Sequence, residues 1–433
     1  MFRHASRYSW RLFAGDCFGG VIAALIALPY GLAMATAMGL PPMLGVLTSV
    51  ITAPITAILG RNPLLIGGTS SVTIFFIAAA VRQQGISGAA KVSIVASVFM
   101  MAFCVLRLGR YISKVPHTVV TGFSCGIGGI MVISQLHVIL GIAKPSGESP
   151  LTQLFDILSR VPSAHWPPIL LGCAVILTAT VCTRFTKLVP APLVGILIAF
   201  GLMKLLSLHE AAVGSLPLTM PPLASFTWAA GDAYTVLSSA LGLAVVSSIN
   251  LLLTSRVVEH FRGRHQFLKR SDADRELGAF GIANICAGLF GAPLSVGIPA
   301  RSVAAIRCGA TTRLSNLLHA AFLCMFLWFG AGFVAQVPLA ALAGVTAWMG
   351  FNLLDWSTWH RLPRMRVIDS AAFLITTLGV LAVSNAIYAV AAGCLLYGAH
   401  YLYFKFFPSP VLFSPPPAAS SEPRPQGAVS DTR

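Results

Sequence analysis

The chain has 433 residues, 56% of them hydrophobic and only 10% charged, with a mean hydropathy of +0.82. Soluble domains carry about 25% charged residues, so the composition excludes a soluble globular protein, and no stretch of soluble composition is long enough for a second domain. The net charge of +16 gathers in short loops between apolar runs, which fits orientation signals in a membrane and argues against a nucleic-acid surface.

In chain order, residues 1–14 read as a cytoplasmic N-terminus. Ala33-Met34-Ala35 resembles a signal-peptidase site behind Arg3, Arg7 and Arg11. The apolar run before it is long, carries Pro29 and is followed by more spans, so it reads as a first transmembrane helix. Apolar runs then recur along almost the whole length. Seven lie near 15–37, 43–59, 68–81, 89–108, 116–140, 167–184 and 188–207. Seven more lie near 234–256, 276–292, 298–308, 314–335, 339–354, 367–384 and 385–405. The third follows Leu64-Leu65-Ile66-Gly67-Gly68 and the tenth follows Leu294-Ser295-Val296-Gly297; both are too short to span as full helices. They hold the same place in each half, and paired short, Gly/Pro-interrupted segments point to a transporter site at an inverted-repeat interface. The expected fold is an all-α polytopic membrane protein of about fourteen transmembrane segments in a 7+7 inverted repeat. Repeat 1 covers about 15–207 and repeat 2 about 234–405, within a transport unit of 15–407. Residues 408–433, rich in Pro, Ser and Ala, read as a disordered cytoplasmic tail.

Charge tests this arrangement. Of the 29 Lys and Arg residues, only Arg82, Lys91, Lys144, Arg160 and Lys204 fall outside, and Arg301 lies within a span. The rest are inside when both termini are cytoplasmic, as the positive-inside rule requires. The nine cysteines lack CxxC spacing and sit in or beside apolar runs, so they read as small hydrophobes rather than disulfides or metal ligands.

Arg301 is the most informative residue. A guanidinium stays charged at any working pH, and placing it at bilayer depth costs several kcal/mol, which marks a functional site that attracts an anion. Pro299 suits the first turn of a helix, so Ala300, Arg301 and Ser302 would lie where backbone N–H groups and the helix dipole also favour an anion. Thr69, Ser70 and Ser71 offer hydroxyls at the start of the third segment; capping and small-residue packing are the competing reading. Asn250 and Thr254 share a helix face and serve either as polar glue between helices or as site lining. His137 and His319 read as interhelical histidines with their hydrogen bonds met rather than proton relays. No Asp or Glu is embedded to neutralise Arg301, which favours an anionic ligand. No Walker loop, metal cluster or nucleophile–base pair is present in the sequence, so neither an enzyme nor a cofactor is expected.

Several stretches resemble the SulP family of sulfate permeases and anion exchangers. They are Ile26-Ala27-Leu28-Pro29-Tyr30-Gly31-Leu32-Ala33 with Gly39-Leu40-Pro41-Pro42, and Leu108-Gly109-Arg110-Tyr111 through Gly122-Phe123. Further on are Arg275-Glu276-Leu277 with Gly281-Ile282-Ala283-Asn284, and Gly297-Ile298-Pro299-Ala300-Arg301-Ser302. The resemblance implies a core domain (helices 1–4 and 8–11) moving as an elevator against a gate domain (helices 5–7 and 12–14). It implies a substrate between the third and tenth half-helices, and a part for Tyr30 and Asn250 from the first and eighth helices. Three departures stand out, one of them Tyr30, which replaces a smaller or amide residue and so reshapes the expected pocket. Asn250 replaces an acidic residue used by bacterial relatives for cation coupling, and its amide cannot titrate. Most relatives also end in a STAS domain, which the short tail cannot form.

The function expected is secondary transport of a small anion of the sulfate or bicarbonate class. A nucleobase permease of the same fold and a passive anion channel are the alternatives. The expected partners are that anion and the lipid bilayer, with a homodimer left open and no nucleic acid. The expected location is a bacterial inner membrane.

Overall fold

The computed structural model describes residues 9–112, 116–146, 149–185, 190–214, 221–224, 232–262, 271–382 and 386–406; the expected tail at 408–433 and the first eight residues lie outside the described residues. The first half runs α1 (Trp10–Ala37), α2 (Pro42–Leu59), β1 (Gly67–Thr69), α3 (Ser71–Val105), α4 (Gly109–Ile112), α5 (His117–Leu140), α6 (Pro150–Ser159), α7 (Trp166–Phe185) and α8 (Ala191–Leu205). The second runs α9 (Asp232–Arg262), α10 (Ala273–Gly288), β2 (Ser295–Gly297), α11 (Pro299–Arg307), α12 (Leu314–Ala335), α13 (Leu339–Leu353), α14 (Trp356–Arg361), α15 (Val367–Ala382) and α16 (Ala386–Phe406).

All fourteen expected spans are present. The third and fourth are the two limbs of α3, broken at Gly85 with φ 62° and ψ −149°, a backbone state open essentially to glycine alone. Seven of the described helices are long and apolar enough to cross a bilayer by themselves. The short helices α4, α6 and α14 were not expected, because none carries a transmembrane-length apolar run. α6 opens on a reciprocal cap between Ser149 and Thr152, with Pro150 in its first turn, a start signal legible in the sequence.

Packing divides the helices into two groups. α1, α2, α3, α9, α10, α11 and α12 form the core, and α5, α7, α8, α13, α15 and α16 form the gate. The groups meet mainly where α1 lies on α13 and α8 and where α3 lies on α5. Within them the two halves repeat: α1 packs on α12 as α9 packs on α3, and α15 packs on α5 as α7 packs on α13. Lipid gives little hydrophobic drive for such contacts, so they rest on close packing and polar links. Two carboxylates supply links near helix starts. Asp16 of α1 accepts the N–H groups of Thr311 and Thr312 at 2.7 and 3.0 Å. Glu276 of α10 accepts those of Arg61 and Asn62 at 2.8 and 2.6 Å. The cysteines are free, but only Cys125 is buried; Cys173 and Cys324 are exposed on α7 and α12.

Candidate functional site

At the centre of the core, β1 and β2 pair antiparallel, with Gly67 opposite Gly297 and Thr69 opposite Ser295. All six residues are buried. Their backbone groups cannot reach water at that depth and need protein partners. The ladder supplies some, and side chains supply others. Asn284 clamps Ser295 through two 2.8 Å bonds, donating to its carbonyl and accepting its N–H. The Thr254 hydroxyl donates to the Gly297 carbonyl at 3.2 Å, and Thr69 donates to Gly45 of α2 at 2.8 Å. Ser302 Oγ accepts the Ile66 N–H at 2.9 Å and donates to the Ile298 carbonyl at 3.1 Å. These bonds hold the extended segments rigidly, so α3 starts beyond Thr69 and α11 beyond Gly297, at opposite ends of the little sheet. Their N-termini flank three residue pairs, about 7–10 Å of strand.

Arg301 sits in the first turn of α11 and is 1% exposed. Its side chain turns into the core rather than toward an opening. Nη1 donates to Ser49 Oγ of α2 at 3.0 Å, and Nη2 makes a long 3.5 Å contact to the Ala27 carbonyl of α1. Nε has no partner among the described residues. The guanidinium lies so close over Gly68 that a methyl there would overlap Nη1 and come within 2.6 Å of Ser49 Oγ. A hydroxyl and a carbonyl are its hydrogen-bond partners, with no carboxylate among them. This is a charge held by geometry, with no ion-pair partner among the described residues.

The openings lie beside it. Pro299 and Ala300 are exposed, and Ser70, Tyr30 and Asn250 are half-buried. A cavity of about 390 Å³ runs between core and gate, lined by Tyr30, Ala300, Val303 and Arg307 from the core and by Thr183, Pro190 and Trp348 from the gate side. A second, smaller cavity brings Asn250 of α9 and Val72 of α3 against Val120, Phe123 and Ser124 of α5.

A model of the sulfate permease family matches residues 13–376. The chain belongs to the sulfate permease family. The bicarbonate transporter BicA of Picosynechococcus sp. is 30% identical over 410 residues, which cover 90% of this chain and 71% of that protein. A probable sulfate transporter of Mycobacterium tuberculosis is 29% identical over 400 residues, covering 90% and 70%. Among solved structures, the transmembrane domain of a cyanobacterial bicarbonate transporter BicA superposes with a TM-score of 0.78 at 27% identity, covering 90% of this chain and 98% of that one. Murine solute carrier 26 family member A9, an anion transporter in the inward-facing state, gives 0.81 at 17% identity, covering 92% and 70%, and shows the shared fold. Apolar helices and family membership together make this a multi-pass membrane protein.

In this sulfate permease family member the expected site residues separate into two sets. Pro299, Ala300, Tyr30, Ser70 and Asn250 reach an opening or stay partly exposed. Thr69, Ser302 and Thr254 instead spend their hydroxyls on backbone groups, and Ser71 is buried in the first turn of α3. Sequence reasoning gave no site role to Ser49 or Asn284 and did not foresee the close seat at Gly68. Ser49 follows the Thr48, Thr52, Thr56 file of α2, whose hydroxyls bond back along their own helix, a polar stripe that could have drawn attention to it. His319 also departs from expectation: it is buried with both ring nitrogens unpartnered among the described residues.

Proposed function

We propose that this protein is a secondary transporter of a small inorganic oxyanion of the sulfate or bicarbonate class, bound between the N-termini of α3 and α11. The observation that carries this reading is Arg301, buried and with no ion-pair partner among the described residues where two half-helices begin. Each helix start leaves backbone N–H groups without intrahelical partners. Thr69 to Ser71 and Pro299 to Ser302 form that cradle, with Tyr30, Asn250 and Thr254 beside it. Arg301 then acts as a fixed charge behind the cradle rather than as a hand on the ligand. At ~5 Å and an effective dielectric of ~20, one such charge contributes about 3 kcal/mol to an anion.

The two-group packing, joined mainly through α1 and α3, supports an elevator in which the core carries the anion past the gate. The cavity between the groups supports an access path to Ala300. The loop charges support cytoplasmic termini and a bacterial inner membrane, with a transport unit of 15–407 built from repeats at about 15–207 and 234–405. The relatives' printed activities support the anion class.

The test is uptake of labelled sulfate and bicarbonate into proteoliposomes. Arg301→Ala is expected to weaken apparent affinity about 100-fold with the fold retained; unimpaired uptake in that variant sinks the site. The titratable group used by acidic relatives is an amide at Asn250, which gives a passive channel its best argument. Saturation and stimulation by a counter-anion on the far side support the carrier, and linear, unsaturable current supports the channel.

A further inference from the structure

The turn between the gate helices α13 and α15 gathers cations and apolar side chains that the anion cradle does not use. α14 runs straight into a single 3-10 turn, Leu362–Arg364, and α15 follows at Val367. Ser370 ties the turn back onto α15: its hydroxyl donates to the Leu362 carbonyl at 2.9 Å and its N–H to the Arg366 carbonyl at 3.0 Å. Arg361, Arg364 and Arg366 therefore stand close together on one compact piece of backbone, and all three are exposed.

The carboxylates nearby are already engaged. Asp355 accepts the hydroxyls of Ser357 and Thr358, both at 2.6 Å. Asp369 accepts the Tyr397 hydroxyl from α16. Arg361 donates to the Ser357 hydroxyl at 2.9 Å and to its carbonyl at 3.2 Å. None of the three arginines has an ion-pair partner among the described residues. Apolar groups border the same turn: Val367 is 85% exposed, Phe351 54% and Trp356 46%. The Phe351 and Trp356 rings lie 5.0 Å apart, and the indole N–H donates to the Phe351 carbonyl at 3.2 Å. Trp359 packs edge-on against Phe373 of α15 at 5.1 Å, which fixes α14 to the gate.

We propose that this turn is a binding site for an anionic phospholipid, with the arginines around its phosphodiester and Phe351, Trp356 and Val367 against the upper acyl chains. A guanidinium presents paired donors that match phosphate oxygens. Indole rings favour the headgroup level, and basic clusters beside a span attract anionic lipid. Charge and apolar surface together select the occupant. A soluble anion would meet the arginines and leave the apolar groups bare. A second copy of this turn would set three cations against three. A zwitterionic lipid carries its own cation beside the phosphate and gains less from the cluster. The site uses no residue of the proposed anion cradle, so it stands or falls apart from that reading.

Thermal melting of the purified full chain in detergent tests this, with dioleoyl-phosphatidylglycerol or dioleoyl-phosphatidylcholine added at equal mole fraction. Native mass spectrometry counts the lipid retained. A ligand of the folded state raises its melting point, so wild-type protein is expected to melt several degrees higher with the glycerol lipid and to keep it in preference to the choline lipid. Arg364→Gln combined with Arg366→Gln is expected to lose that difference, to bind the glycerol lipid about 30-fold more weakly, and to melt as wild type does in the choline lipid. Arg107→Gln combined with Arg184→Gln removes two exposed arginines elsewhere and is expected to keep the difference. Equal effects of the two lipids on wild type overturn the inference. So does an equal loss in the Arg107 and Arg184 variant, which would mean general surface attraction, and so does equal stabilisation by sodium phosphate. If the Arg364 and Arg366 variant does not fold, the wild-type lipid count decides: it is expected to fall between about 0.1 and about 1 M salt, and a count indifferent to salt overturns the site.

Discussion

At the scale of single residues, Arg301 and Gly68 form one unit although they come from opposite halves of the chain. The guanidinium occupies the space where a side chain on residue 68 would stand. Gly68→Ala therefore forces Arg301 off Ser49 or pushes β1 away from α2, and either movement disturbs the field at the helix ends. We expect its sulfate uptake to fall at least tenfold, with a melting temperature lowered by several degrees; wild-type uptake with unchanged melting would show that the seat is not needed. Arg301 was legible in the sequence, since a lone arginine in an apolar run has few uses. Its direction was not, because a side chain of α11 turns inward only where α2 offers Ser49 and β1 offers a bare Cα. The same holds for Ser302 and Thr254. Their types suggested ligand contact, yet extended backbone nearby claimed their hydroxyls first, because unpaired groups in lipid cost several kcal/mol.

At the scale of elements, hydrophobic run length located the spans to within a few residues, since the bilayer demands about 20 apolar residues per crossing. The short third and tenth runs follow Gly-bearing stretches in the sequence, and β1 and β2 lie in those stretches. Their pairing was not legible, because three-residue strands carry no usable periodicity and the partners lie in different halves. The break in α3 is a separate device. Gly85 has open space where a Cβ would stand, so only its backbone angles resist substitution. Gly85→Ala is expected to cost about 1–3 kcal/mol from strain alone. A thermal melt in detergent checks this, and an unchanged midpoint would mean that α3 can straighten at no cost. The short helices α4, α6 and α14 escaped notice because run length sees only what crosses the membrane.

At the scale of the whole molecule, the two repeats interlock instead of standing side by side. α12 of the second half packs on α1 of the first, and α3 of the first packs on α9 and α10 of the second, so neither half has a core of its own. The strand pair adds a condition in time. During synthesis β1 enters the membrane before Ser295 exists, and its backbone N–H and C=O groups wait for partners until the second half has been inserted. The nascent first half is thus expected to be a client for chaperones and membrane proteases until β2 docks. A fragment ending before residue 232 is expected to be degraded when made alone and to survive when residues 232–433 are made beside it as a separate chain. Pulse-chase labelling of the two fragments reads this directly, and a long-lived first half on its own would show that β1 finds other partners while it waits.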